Sequence, residues 1–185
     1  MSTPLPAESV TRGTAFEGMF VRALQPTGRF AEQLRAAGYD PAQPARADYP
    51  TRVWQACLDV ARQHTFPQLS RAAGEHRLGQ LFIEGFFQTL AGKMLGATLP
   101  MLGPDTVMQK LKRAWASSQP NVEVTPVQLG ERHWSVTLRE RGILADFCGG
   151  LIAGILLRTR VQPEVTVTER AETHCVLSVR WTAKP

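Results

Sequence analysis

The stretch over residues 146–158, DFCGGLIAGILLR, most constrains how this chain can fold. Gly149, Gly150 and Gly154 stand among large apolar residues, and the four-residue spacing of Gly150 and Gly154 places both on one face of a helix. A helix bare of side chains along one face lets a neighbouring backbone or a bound molecule come closer than a Cβ would allow. The pattern predicts a helix over 144–159. Before it, Val122, Val124 and Val127 lead through Leu129 to a turn at Gly130, and Trp134, Val136 and Leu138 then alternate with polar residues, the signature of an antiparallel hairpin. After it, Val165 and Val167 pair in pattern with Cys175, Leu177, Val179 and Trp181 around a turn near Ala171 and Glu172.

Upstream the apolar period is helical. Phe16, Met19, Phe20, Ala23 and Leu24 suit a short helix, although Gly18 and the dense FEGMFVRAL run leave an extended reading open. A helix over 28–37, with Phe30 and Leu34 inward, stops at Gly38, and a proline-bearing loop follows. Val53, Trp54, Cys57, Leu58 and Ala61 stripe a helix over 50–63 that Phe66 and Pro67 break. Residues 68–102 are mostly helical. Between 78 and 95 their apolar residues, including Phe82, Phe86, Phe87, Leu90 and Met94, surround the axis, which places this helix at the centre of a domain. Pro104 in a first turn and Asp105 near the positive end start another helix that runs to about residue 117. The expected fold is α+β: N-terminal helices packed on a four-stranded antiparallel sheet made of two hairpins separated by the glycine-rich helix. A flexible tail over 1–13 precedes one domain over 14–185, a length and composition ordinary for a single core.

Several classes of function find no support. The three cysteines, Cys57, Cys148 and Cys175, are scattered, which argues against a disulfide scaffold or zinc site and for a reducing cytoplasm. The first residues lack the basic and apolar leader that export requires, and the apolar run 151–157 falls far short of the roughly 20 residues that span a bilayer. The net charge of +5 is modest and dispersed. Lys110, Lys112 and Arg113 read as a solvated helix face, so no nucleic acid is expected. His64, His76, His133 and His174 share no metal-binding spacing, and no phosphate loop or nucleophile elbow occurs. Glu84 lies within an apolar helix run, where a buried structural partner is the plainer reading. The alternative is an acid or base flanked by Gln88 and approached by Arg22 or Arg139.

What stands out is a density of soft and aromatic side chains, Phe86, Phe87, Met94, Met101, Met108 and Trp115, near two glycine-bearing helices. They fit either a cavity for a hydrophobic ligand or a well-filled core.

Two resemblances rest on these residues. FEGMFVRAL, DYPTRVW, RLGQLFIEGFFQTLAGKML and LGPDTVMQKLKRAW together resemble a family of single-domain proteins of unassigned role found mainly in myxobacteria. Asp146, Phe147, Gly150, Leu151, Ile152 and Gly154, with the hairpin that follows, are similar to the superfamily of haem nitric-oxide-binding domains, 4-vinyl reductase-type ligand domains and TRAPP subunits of vesicle transport. In the haem domains an axial histidine lies early in a helix that resembles residues 105–115, where this chain carries Met108. Their propionate-holding tyrosine, serine and arginine fall on Leu138, Glu140 and Gly142, or, shifted by one, on Thr137, Arg139 and Arg141. The resemblance therefore implies the scaffold without haem.

The leading expectation is a non-enzymatic, cytoplasmic regulatory module that binds a small hydrophobic ligand through Phe86, Leu90, Met94, Met108, Trp115, Gly150 and Gly154, with no cofactor or metal. The alternative is a homodimeric protein-interaction adaptor with a filled core and an exposed apolar surface, for which Trp54, Trp115 and Phe20 are the candidate residues to inspect for exposure.

Overall fold

The computed structural model describes residues 9–183. The chain opens with β1 (Val10–Arg12) and helix α1 (Gly13–Phe16), which widens into a π-helix over Glu17–Leu24. Then come α2 (Gly28–Ala36), β2 (Asp48–Pro50), α3 (Thr51–Thr65), α4 (Arg71–Phe86), α5 (Leu90–Leu102) and α6 (Pro104–Ala116). The hairpin β3 (Glu123–Gly130) and β4 (His133–Arg139), helix α7 (Ala145–Leu157), and the hairpin β5 (Val161–Arg170) and β6 (His174–Ala183) complete it. The four long strands form one antiparallel sheet in the order β3-β4-β6-β5. The expected α+β plan of two hairpins around a glycine-rich helix is thus the observed one.

Strict alternation sets the sheet's inner face. Trp134, Val136 and Leu138 of β4 and Cys175, Leu177, Val179 and Trp181 of β6 are all buried, as the two-residue period of a strand requires. Helix α7 lies on β5 and β6 and α6 on β3, while α4 lies along α7 and carries the π-helical segment and α3. Side-chain bonds pin this arrangement: Trp134 Nε1 donates to Asp105 Oδ1 at 2.9 Å, tying β4 to the start of α6.

The face of α7 that carries Gly150 is filled by the backbone of α4. A Cβ on Gly150 would overlap the His76 carbonyl, and one on Gly79 would overlap the Phe147 carbonyl. Glycine on both sides of the crossing permits backbone contact there.

Four expectations are corrected. Residues 1–8 of the expected tail lie outside the described residues, but Val10, Thr11 and Arg12 pair with Pro50, Tyr49 and Asp48. Thr11 is fully buried, its hydroxyl 3.2 Å from that of Thr51, so the fold begins before residue 14. The apolar helix expected over 78–95 is divided: the chain turns after Phe86, and Thr89 caps α5 by accepting from the Gly92 amide at 3.1 Å. Beyond that turn Leu90 and Met94 are 80% and 70% exposed, so only the α4 part is central.

Glu84 is exposed, and the buried carboxylate of α4 is Glu75, bonded to Arg71 Nε at 2.7 Å. Nine residues separate the two glutamates, about 180° of helical rotation, so they stand on opposite faces. Finally, Phe20, Trp54 and Trp115 are buried and form no surface patch, because Phe20 and Trp54 join Phe16, Tyr39 and Tyr49 in an aromatic cluster.

Candidate functional site

Between α4 and α6, closed by α5 and α7, lies a cavity of about 150 Å³. Its wall is almost wholly apolar: Phe82, Ile83 and Phe86 from α4, Phe87 from the turn, Leu99 and Leu102 from α5, Val107, Leu111 and Trp115 from α6, and Leu151 and Ile155 from α7. Helical periodicity explains the convergence. Val107, Leu111 and Ala114 recur at four- and three-residue steps and share one face of α6, with Trp115 beside it and Ser118 just past the helix end. Leu151 and Ile155 do the same on α7, each directly following one of the glycines that let α4 approach.

The aromatic wall is held in place. Trp115 Nε1 donates to Gln119 Oε1 at 3.0 Å, and Gln119 Nε2 donates in turn to the buried Thr11 hydroxyl at 3.3 Å. Phe86 lies 6.4 Å from Phe82 and 5.6 Å from Phe87 between ring centres, and the Arg158 guanidinium covers the Phe87 ring at 5.0 Å.

Of the seven residues expected around a ligand, the cavity brings together Phe86 and Trp115. Met108 is fully buried in the core outside the cavity wall. Gly150 meets the His76 backbone and Gly154 the Ile83 side chain, so both shape the wall only through their neighbours. Leu90 and Met94 are corrected outright: they belong to the solvent face of α5, because the turn at residues 87–89 rotates them away. The residues that sequence reasoning passes over include Lys110, whose neighbours Lys112 and Arg113 make it read as part of a solvated face. The three-residue step from Val107 was the available signal that Lys110 edges the apolar face.

The site carries little reactive chemistry. Burial pushes the Cys57 thiol up to about 12 and Cys175 up to about 11, and raises Cys148 as well. These thiols stay protonated and poorly nucleophilic at neutral pH. His64 stacks on Phe30 at 4.8 Å and bonds Gln33, away from the cavity. Burial beside α7 lowers the His76 pKa from its ordinary value, against the opposing influence of Asp146. Among the described residues no cluster of three His, Cys, Asp or Glu side chains could hold a metal. No described helix is long and apolar enough to cross a membrane.

A family model described as "Protein of unknown function (DUF2378)" matches residues 9–182. No curated protein matches the chain in sequence. Among solved structures, an oxygen-binding H-NOX domain related to soluble guanylate cyclases superposes with a TM-score of 0.65 at 12% identity, covering 93% of each chain. An H-NOX protein from S. oneidensis in the Fe(II)NO state gives 0.64 at 12% identity, over 92% of this chain and 99% of its own. A structure probing haem distortion in the H-NOX family gives 0.68 at 12% identity, over 94% and 96%. The likeness at this identity is one of fold.

Haem does not fit the cavity. A porphyrin needs several times 150 Å³, and the polar side chains of the wall are Thr14, Lys110, Ser117 and Ser118, with no histidine among them. Arg141, which the one-residue shift sets at the arginine position, and Arg139, at the serine position, are exposed and face Glu172 at 2.8 Å and Glu123 at 4.0 Å instead.

Proposed function

We propose that this chain, which belongs to the family described as Protein of unknown function (DUF2378), is a non-enzymatic regulatory module that takes a small hydrophobic ligand without haem. The single observation that carries this reading is the apolar cavity of about 150 Å³ between α4 and α6. A volume of that order accepts a benzene-sized molecule when its walls are apolar. The H-NOX fold supports the reading by analogy, since those neighbours are described with oxygen and Fe(II)NO bound. In this chain the buried, protonated thiols and the absence of a polar constellation in the cavity wall speak for binding rather than catalysis. The cytoplasm, where such thiols stay reduced, is the compartment we assign.

The test uses toluene as a neutral probe. Toluene should raise the melting temperature and alter the tryptophan fluorescence of the intact chain, to which Trp115 of the cavity wall contributes, and both effects should vanish in an Ile155→Trp variant whose added bulk occupies the cavity. A well-folded protein indifferent to toluene would remove the reading.

The homodimeric adaptor is the second reading, now resting on a different surface. Leu90, Met94 and Met101 are 80%, 70% and 87% exposed along α5 at helical spacing. Light scattering on the wild type and a Met94→Glu variant tests it: a dimer dissociated by the substitution supports the reading, and a wild-type monomer removes it.

A further inference from the structure

The cavity is apolar through its depth but not at its edge, and the polar groups there differ in what they can still do. Ser117 Oγ donates to the Ala114 carbonyl at 2.6 Å and Ser118 Oγ to the Trp115 carbonyl at 3.2 Å, so both hydroxyl protons are already engaged. The Trp115 indole proton is taken by Gln119. Thr14 offers a neutral hydroxyl, whereas Lys110 is the charged side chain of the wall: it is exposed, edges the cavity, and has no ion-pair partner among the described residues. No carboxylate lines the cavity with it.

The two ends of α6 are electrostatically unequal. Ser117 and Ser118 lie just past its C-terminus, where the helix dipole disfavours an anion. Lys110 lies seven residues earlier than Ser117, roughly 10 Å along the axis. An acidic group on a ligand is therefore stabilised beside Lys110, midway along α6 and away from that C-terminus, while the apolar body occupies the space between Phe86, Leu111, Trp115 and Ile155.

Resting on the ligand-binding reading above, we infer that the cavity selects a small amphipathic monocarboxylate, whose benzene-sized apolar body fills the cavity while its carboxylate accepts from Lys110 Nζ at the edge. The size sets the class. A cavity of about 150 Å³ holds one ring or a short branched chain and excludes a long acyl tail or a fused-ring skeleton. A protonated amine of the same size meets Lys110 as a like charge and is rejected.

The experiment titrates the full chain at neutral pH and low salt with phenylacetate, toluene and phenethylamine, followed by tryptophan fluorescence and melting temperature. Phenylacetate should bind at least about fivefold more tightly than phenethylamine, the size of effect one partly exposed charge-assisted hydrogen bond supplies. Lys110→Gln should erase that preference and leave toluene binding unchanged, and Lys110→Arg should retain it. Because Lys110 is exposed on a helix, the glutamine variant keeps the fold, which its unchanged toluene response verifies. Equal binding of phenylacetate and phenethylamine, or a Lys110→Gln variant that keeps the preference, would overturn the inference while leaving the hydrophobic site intact. Failure of all three probes would remove the underlying ligand-binding reading as well.

Discussion

Gly79 of α4 and Gly150 of α7 meet where the two helices cross at backbone distance. A Cβ on Gly79 would fall 2.6 Å from the Leu151 amide nitrogen, and one on Gly150 would fall 2.7 Å from the His76 carbonyl carbon. The atoms in the way are backbone and cannot rotate aside, so the helices themselves would have to separate. Separation would also displace Leu151 and Ile155, which line the cavity from α7.

Gly150→Ala should therefore destabilise the protein by roughly 1–3 kcal/mol, the usual cost of overpacking a core. Gly149→Ala is its control. A Cβ there lies 3.5 Å from Val165 Cγ1 and 3.7 Å from His76 Nδ1, ordinary contact distances. Alanine is the better helix former by up to about 1 kcal/mol, so that variant should match or exceed the wild type. Urea midpoints for the adjacent pair measure the contrast, and equal losses at both positions would contradict the crossing.

The glycine helix and its flanking hairpins were legible because their signals are local. Period-two alternation in β4 and β6 and the residue spacing in α7 depend on near neighbours alone. What the glycines face was not legible, since α4 approaches from about seventy positions away in the chain. Thr89 explains another difference. Its neighbours read as continuous helix by hydrophobicity, but a threonine that caps through its own hydroxyl resets the axis, and Leu90 and Met94 leave the interior as a result. Glu84 reads as internal for a similar reason, and Glu75, the carboxylate that is buried, goes unmarked. With apolar residues on every side, the period could not identify which face of α4 is outermost.

The bond between Trp134 Nε1 and Asp105 Oδ1 makes its own forecast. Asp105→Ala should cost about 1–3 kcal/mol, because the N–H of the buried Trp134 indole loses its acceptor and the first turn of α6 loses a favourable charge. Asp105→Asn keeps an acceptor oxygen and should recover most of that loss in thermal or urea denaturation. If alanine and asparagine behave alike, the hydrogen bond does not contribute.

The cavity wall and the outer face of α5 should respond oppositely to truncation. Leu111 is buried and lines the cavity, so Leu111→Ala should lose about 2–5 kcal/mol and widen the space. Leu90, exposed on α5, should tolerate alanine within about 0.5 kcal/mol. The Leu111 variant should also recover more stability on adding toluene than the wild type, because the enlarged cavity offers the probe more surface. A Leu90→Ala loss as large as that of Leu111→Ala would show that α5 is covered in solution.

His76 supplies a pH dependence whose direction follows from its surroundings. Burial beside α7 lowers its pKa from the ordinary 6.5, Asp146 pulls the other way, and Arg77 adds to the lowering. The unfolded chain therefore binds the proton more readily than the folded one, and stability rises with pH wherever the two differ. The contribution of His76 should be complete above pH 6.5 and should decline as the pH falls from there through the folded-state value. Urea midpoints between about pH 7.5 and 5.5 sample this window before most carboxylates begin to protonate. His76→Gln, which carries no titrating ring, should flatten that part of the curve. The backbone carbonyl that meets Gly150 is untouched by this change, so the variant separates the ring's titration from the helix crossing. If the wild type and His76→Gln lose stability in parallel over this range, the proton is taken up elsewhere.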